Sequence, residues 1–161
     1  MIKLFELAQL LGRAGVDFVI IGGIAIRSHG GNYITEDLDI CYSRTNDNLK
    51  KIAEVLAPLR PRPRGFDNEL PYVFDWTTLQ HGTNFTFTTS MGDIDLIGEV
   101  KGIGGYVDLT QEAIAVDLDG IKTYVLSIPA LIRAKEAADR PKDKPGLQVL
   151  YALSEAEAGD E

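Results

Sequence analysis

Two pairs of aspartates stand out because their spacing places each pair on one side of a strand. Asp37 and Asp39 open an apolar stretch that ends at Tyr42, and Asp93 and Asp95 alternate with apolar residues in a later stretch. Side chains alternate between the two faces of a strand, so the acids of each pair point the same way. Carboxylates held so close repel each other unless a cation lies between them, and Mg2+ prefers such hard oxygen ligands. The pattern therefore predicts a site for a divalent cation.

A glycine pair, Gly22 and Gly23, follows a short apolar strand at residues 18–21. Backbone N–H groups at a strand-to-helix turn can bind an anion, and glycine lets a phosphate approach without a Cβ in its way. One element thus offers donors to a phosphate, and the next offers carboxylates to a metal on that phosphate. Either feature alone is common in proteins without a site, but the two in this order predict phosphoryl or nucleotidyl transfer.

Two further features extend this hypothesis. A two-metal site needs a third carboxylate, and Asp95 or Asp93 can supply it if the second strand lies beside the first. The alternative is an exposed edge strand whose acids have no function. Near the C-terminus, Lys135 lies on a predicted helix from which it could reach a triphosphate; the alternative, which these residues alone favour, is a solvated helix face.

The elements that position these residues alternate along the chain. Apolar spacing predicts a helix over 2–14, and a short helix over 24–29 is expected between strands 18–21 and 38–42. The order predicts an α/β (α+β) fold with a mixed sheet and C-terminal helices. The other predictions are a helix capped by Asn46 that runs to about Leu59, strands over 73–76, 84–88 and 93–97, a loop over 102–105, a hairpin of 115–118 and 122–126, a helix capped by Ser127 that runs to Ala138, and a last helix from Pro141 to about Leu153.

Length and charge limit the classes of function. The chain has 161 residues, which suits one domain over 1–153, and the acidic stretch 154–161 is predicted to be a disordered tail. A net charge of -8 makes nonspecific nucleic-acid binding unfavourable. The exception is the proline-rich stretch 58–71, which is predicted to be an irregular, mobile substrate loop and carries Arg60, Arg62 and Arg64.

The sequence also indicates a compartment. A single cysteine excludes an internal disulfide and fits a reducing environment. The N-terminal apolar residues read as an amphipathic helix and not as a signal peptide, and the apolar run over 18–26 is too short to span a bilayer. We therefore expect a cytoplasmic protein without a membrane partner.

The run Val19–Ala25 followed by Thr35–Ile40 resembles the signature of the nucleotidyltransferase superfamily with the DNA polymerase beta-like fold. That signature is an apolar strand, a glycine pair, a gap and then Asp-apolar-Asp. The stretch 94–97 is similar to the strand that carries the third carboxylate. The C-terminal stretch from Leu131 to Asp143 resembles the ending of small bacterial members, which include abortive-infection toxins of type IV toxin–antitoxin systems.

The resemblance implies roles for individual residues. Asp37, Asp39 and Asp95 would be the catalytic carboxylates and the ligands of two Mg2+ ions. The nucleotide-binding residues would be Gly22, Gly23, Thr35 and Lys135. Many toxin-like members have a basic residue at the position of Tyr33, and Asp93 is an additional acid.

The resemblance implies an enzyme that transfers a nucleoside monophosphate from a nucleoside triphosphate such as ATP to an acceptor. The acceptor would be a tRNA, a protein side chain or a small molecule such as an antibiotic; an acidic cleft attracts a cationic one. An antitoxin or a second copy of the chain would be the protein partner. One alternative is a nucleotide-binding or regulatory module with little turnover. A second alternative is an unrelated α/β protein, in which Asp39 and Asp95 would lie far apart.

Overall fold

A computed structural model describes residues 2–67 and 69–159. The described residues form seven α-helices, nine strands and two short 3-10 helices. The helices are α1 (Ile2–Arg13), α2 (Gly22–Ser28), α3 (Asn46–Leu56), α4 (Trp76–Gln80), α5 (Tyr106–Thr110), α6 (Ile128–Ala138) and α7 (Lys144–Gly159). The strands are β1 (Phe18–Ile21), β2 (Asp37–Tyr42), β3 (Arg62–Pro63), β4 (Phe85–Thr89), β5 (Gly92–Ile97), β6 (Glu99–Val100), β7 (Gly104–Gly105), β8 (Ala113–Leu118) and β9 (Ile121–Leu126).

Seven of the strands form one mixed sheet in the order β3-β4-β5-β2-β1-β9-β8. β2 pairs with β5 in parallel and with β1 in antiparallel orientation, and β1 pairs with β9 in parallel. The hairpins β4–β5 and β8–β9 complete the sheet on either side, and β6 and β7 form a separate two-stranded sheet. The predicted α/β class, with a mixed sheet and helices at the C-terminal end, is confirmed.

The core follows from the alternation of the central strands. Leu38 and Ile40 of β2 and Ile94 and Leu96 of β5 are fully buried. Helix α1 contacts β2, β5 and β9, and its buried residues recur at helical spacing on one face. Because the apolar residues of β2 and β5 turn into this core, the aspartates that alternate with them turn to the opposite face of the sheet.

One helix prediction was wrong at its boundaries, and one strand prediction was wrong in type. Thr45, not Asn46, caps α3 by accepting a hydrogen bond from the backbone N–H of Asn48, and α3 ends at Leu56 before a 3-10 turn over 57–59. The predicted strand over 73–76 is wrong, because α4 begins at Trp76. The Asp75 side chain accepts hydrogen bonds from the first turn of α4, and this capping box outweighs the alternating apolar pattern.

The segments around the site differ from the prediction in two places. Residues 58–71 were expected to be irregular, but β3 lies within them and pairs with β4 at the sheet edge, where proline is tolerated; Asn68 of this stretch lies outside the described residues. The predicted loop over 102–105 contributes β7, and helix α5, which follows it, was missed.

The C-terminal end is longer and more regular than expected. Pro141 opens a 3-10 turn over 141–143, and α7 then runs from Lys144 to Gly159, beyond the expected end near Leu153. Residues 154–159 therefore continue a helix where a disordered tail was predicted, because alanine and glutamate are strong helix formers. Residues 160 and 161 lie outside the described part of the chain. No described helix combines the length and apolar character that a membrane crossing requires.

Candidate active site

The register of two parallel strands brings the predicted carboxylates together. Asp37 of β2 lies opposite Asp93 of β5, and Asp39 lies opposite Asp95. Asp37, Asp39 and Asp95 each present a carboxylate oxygen, and these oxygens all lie within 4.8 Å of one another. We call these three residues the carboxylate cluster. Its existence contradicts the alternative of an unrelated protein, which required Asp39 and Asp95 to be far apart.

The electrostatics of the carboxylate cluster are unfavourable without a cation. Burial, together with the negative charges of Asp95 and Asp37, raises the pKa of Asp39 to about 7. Burial and the charge of Asp95 also raise the pKa of Asp37. In addition, Asp39 Oδ1 is buried and has no hydrogen-bond partner among the described residues. Three converging oxygen donors, one of them unsatisfied, fit a hard divalent cation such as Mg2+.

The glycine pair is required by the close approach of α2 to Asp39 and to Thr35. Helix α2 follows β1 directly, and Gly22 has a φ of +68°, which glycine adopts at no steric cost. A Cβ at Gly22 would overlap the carboxylate of Asp39, and a Cβ at Gly23 would lie 2.5 Å from Cβ of Thr35. Glycine is therefore the residue that lets α2 begin this close to the Asp39 carboxylate and to Thr35.

Thr35 fixes the entry of the chain into β2. Its Oγ1 lies 3.2 Å from the carbonyl oxygen of Asp37 and 3.4 Å from the backbone nitrogen of Asp37, so it can donate to the first and accept from the second. The threonine thus orients the backbone of the first carboxylate. This local role explains a threonine two residues before Asp37 without any ligand.

Lys135 belongs to a network of charged side chains, in which it is paired with Asp143. Its Nζ donates to Asp143 Oδ1 at 3.3 Å, and Arg140 donates to both oxygens of Asp143, from Nε at 2.7 Å and from Nη2 at 3.1 Å. The Lys135 stem packs over Gly146 of α7, where a Cβ would lie 2.9 Å from Cε. We call Lys135, Arg140 and Asp143 the C-terminal ion network.

Asp143 is the centre of this network, whereas the sequence indicated it only as the end of the C-terminal stretch and gave it no role. Only 2% of the residue is exposed. Burial alone would raise the pKa of Asp143, but its hydrogen bonds to Arg140 and Lys135 and their positive charges outweigh burial and lower it. The signal was present, because Arg140 and Asp143 lie three residues apart around a proline, but that spacing predicts an ion pair only once the turn over 141–143 is known.

All seven predicted site residues line one cleft of about 660 Å3. It contains the carboxylate cluster, the glycine pair, Thr35 and Lys135, and the rest of the C-terminal ion network lies on the same wall. Glu36 and Glu99 add acidic groups, and Lys101 and Lys142 add basic ones. The cleft therefore joins a cluster of hard oxygen donors to a basic wall, as binding of a metal together with a polyphosphate would require.

Arg64 is the charged neighbour of the carboxylate cluster that the sequence did not reveal. Its Nη2 donates to Asp95 Oδ1 at 2.8 Å, and its Nε lies 3.2 Å from Asp93 Oδ2. Asp93 thus pairs with Arg64, and it is not one of the three converging carboxylates. The sequence shows only a run of alternating arginines and prolines, and no spacing rule connects it to residues 93–95.

Comparisons with known proteins show which solved structures share this fold. No family model and no curated protein matches the sequence. Among solved structures, TM1012 of Thermotoga maritima, which carries a provisional description as a nucleotidyltransferase, superposes with a TM-score of 0.58 at 16% identity; the match covers 89% of this chain and 86% of that one.

The antibiotic-resistance factor ANT(2'')-Ia is similar in two structures. Its solution structure matches with a TM-score of 0.53 at 15% identity, covering 99% of this chain and 91% of that one. Its crystal structure in complex with adenylyl-2''-tobramycin matches with a TM-score of 0.57 at 16% identity, covering 94% and 87%. These likenesses extend over nearly the whole chain. The predicted nucleotidyltransferase fold is therefore confirmed.

Proposed function

We propose that the protein is a metal-dependent nucleotidyltransferase that moves a nucleoside monophosphate from a nucleoside triphosphate to an acceptor. The observation that carries the proposal is the convergence of Asp37, Asp39 and Asp95 directly beside the glycine pair. Two further observations support it. The chain has the nucleotidyltransferase fold, and the carboxylates lie in a cleft that basic residues also line.

In the proposed reaction an acceptor group attacks the α-phosphorus, the bond to the bridging oxygen of the β-phosphate breaks, and pyrophosphate leaves. Asp37, Asp39 and Asp95 would hold Mg2+, which supplies charge stabilisation at the transferring phosphate. The Asp95 carboxylate would accept the proton of the attacking hydroxyl. Gly22 and Gly23 would allow the phosphates to approach the backbone, and Lys135 would contribute positive charge from the lining of the same cleft.

The acceptor we propose first is a small cationic molecule with a hydroxyl group. Glu36 and Glu99 supply negative charge at the cleft, and an acidic cleft concentrates cations. The net charge disfavours an RNA acceptor unless the arginines of the 58–71 loop bind its phosphates. Of these arginines, Arg62 donates to backbone carbonyls of its own loop, and Arg64 pairs with Asp93 and Asp95. Both side chains therefore already have partners within the protein, which makes this loop a poor site for the phosphates of an RNA. ANT(2'')-Ia is described with an adenylylated tobramycin, so ATP and tobramycin are the first pair to test.

The test is transfer of label from an α-32P-labelled nucleoside triphosphate in the presence of Mg2+, first to tobramycin and then to components of a cell extract. We expect a labelled product with the wild type and none with Asp39→Asn. Asp47→Asn is the matched control, since it makes the same chemical change at an exposed position in the first turn of α3. A labelled product at equal yield with Asp39→Asn would overturn the assignment.

A nucleotide-binding module without turnover is the alternative outcome of this assay. It would show Mg2+-dependent binding of the triphosphate in calorimetry but no labelled product with any acceptor. The toxin–antitoxin role, the protein partner and the cytoplasmic location stay predictions from the sequence.

A further inference from the structure

The guanidinium of Arg64 lies between a candidate metal ligand and an acid that is not one. Nη2 contacts Asp95 Oδ1 at 2.8 Å, and Nε contacts Asp93 Oδ2 at 3.2 Å. Asp95 belongs to the carboxylate cluster, whereas Asp93 does not. One side of the guanidinium is thus anchored on Asp93, and the other neutralises a carboxylate that the proposed reaction requires.

This contact is not needed to hold the loop in place. The backbone is already fixed at the sheet edge, because β3 pairs with β4 and the Arg64 N–H donates to the carbonyl oxygen of Thr86 at 2.8 Å. The side chain of Arg62 orders the following loop through hydrogen bonds to the carbonyl oxygens of Asp67 and Leu70. The Arg64 side chain adds one long contact to the carbonyl oxygen of Phe87, at 3.4 Å, and its only ion-pair partners among the described residues are Asp93 and Asp95.

We propose that Arg64 is a resident counter-cation that competes with the divalent cation for Asp95 and thereby sets the metal affinity of the carboxylate cluster. This inference rests on the proposed function. A guanidinium carries a fixed positive charge and cannot be deprotonated in a protein, so it opposes a second cation at the same carboxylate. The Arg64 side chain is 33% exposed and the Asp95 side chain 19%, so water reaches the contact and the arginine can exchange with a hydrated metal ion.

The competition has a functional consequence. Without metal, Arg64 offsets part of the repulsion among four neighbouring acids, those of the carboxylate cluster and Asp93. When the metal binds, the Arg64 side chain gives up its contact with Asp95 while its backbone stays fixed to β4. Loading of the site is then a replacement of one cation by another, which lowers the affinity for metal.

The first experiment measures the affinity of the protein for Mn2+, from the free-ion signal in electron paramagnetic resonance. We expect Arg64→Gln to bind Mn2+ about tenfold more tightly than the wild type, because a unit positive charge has been removed at close range. Arg60→Gln is the matched control: it removes an arginine from the same loop, and Arg60 forms no ion pair within residues 2–67 and 69–159. Its affinity should equal that of the wild type.

Two outcomes contradict this inference separately from the proposed function. If the wild type binds Mn2+ and a folded Arg64→Gln variant binds it with equal or lower affinity, Arg64 does not compete and only this inference fails. If the wild type binds no Mn2+, the carboxylate cluster is not a metal site, and the proposed function fails with the inference.

A second experiment needs no variant that might be unstable. The Nε–H signal of Arg64 in nitrogen–proton NMR spectra, assigned by its loss in Arg64→Lys, should shift when Mg2+ is added, because the contact with Asp95 is replaced. The signal of Arg62, whose partners are backbone carbonyls, should stay in place. An Arg64 signal that does not move at saturating Mg2+ would overturn the proposal even if Arg64→Gln failed to fold.

Discussion

The two charged regions on the walls of the cleft are built in opposite ways. In the carboxylate cluster, like charges converge, and one buried oxygen of Asp39 has no partner within the described residues. In the C-terminal ion network, one buried acid is satisfied by two bases. The pKa of Asp39 is raised and that of Asp143 is lowered. The carboxylate cluster thus lacks positive charge that a bound cation would supply, whereas the C-terminal ion network already contains its own counter-charges.

The largest expected effect is stabilisation of the carboxylate cluster by metal. At a Mg2+ concentration 100 times its dissociation constant, the free energy of unfolding of the wild type should rise by about 2.7 kcal/mol. Asp39→Asn should lose this gain, because it removes the most buried donor. Urea unfolding in Mg2+ and in EDTA at matched ionic strength measures both, with Asp47→Asn as the control. If Mg2+ stabilised Asp39→Asn as much as the wild type, the carboxylate cluster would not be the region that a cation stabilises.

The next effect concerns the C-terminal ion network. Asp143→Asn should lower the free energy of unfolding by about 2 kcal/mol, because it leaves the partly buried Lys135 without its counter-charge. Asp139→Asn makes the same change at an exposed position nearby and keeps the left-handed backbone that asparagine tolerates. Urea unfolding of both variants checks the prediction. Equal stability of Asp143→Asn and wild type would show that the network contributes nothing to the fold.

An Asp→Asn substitution in the carboxylate cluster should change the free energy of unfolding in the opposite direction. Without metal at pH 8, Asp39→Asn should raise the free energy of unfolding by about 1–2 kcal/mol, because it removes a buried charge from among like charges. Urea unfolding in EDTA measures it. A loss of stability here would mean that Asp39 is stabilised by groups other than a bound cation, which would make the two regions alike.

The smallest effect is the advantage of Asp39→Asn that remains at acidic pH. The pKa of Asp39 is about 7 in the folded protein and near 3.8 in the unfolded chain. Unfolding therefore releases a proton between these values, and the stability of the metal-free wild type falls as the pH rises from about 4 to 7. Since about two pH units of this dependence lie between pH 5 and pH 7, the advantage of Asp39→Asn should disappear at pH 5, which urea unfolding in EDTA measures.

Asp143 provides the contrast within the same titration. Its pKa is lowered in the folded protein, so its contribution to stability is present above the pKa of the unfolded chain and disappears as the pH falls through the folded value. The penalty of Asp143→Asn should therefore be full at pH 8 and should disappear in strong acid. Parallel slopes for the two variants would contradict the opposite pKa shifts.

Much of the fold and of the site could be predicted because the signals are local. Alternation in 37–42 and 92–97 predicts two strands with acids on one side, and Asp119-Gly120 predicts the β8–β9 hairpin. The glycine pair after β1 marks the start of α2. The prediction failed at Trp76, where a capping aspartate three residues before Thr78 outweighed an apolar pattern, and at the C-terminus, where helix-forming residues extended α7.

What the sequence by itself determined was which residues share a strand face and in what order they occur, since backbone geometry dictates both. The tertiary structure decided which faces meet: parallel pairing placed Asp39 beside Asp95, and the β3–β4 pairing carried Arg64 onto Asp93 and Asp95. Register and long-range ion pairs depend on contacts between residues distant in the chain, and no local propensity encodes them. For that reason the carboxylates were found from their spacing, whereas the arginine that neutralises them appeared only in the folded chain.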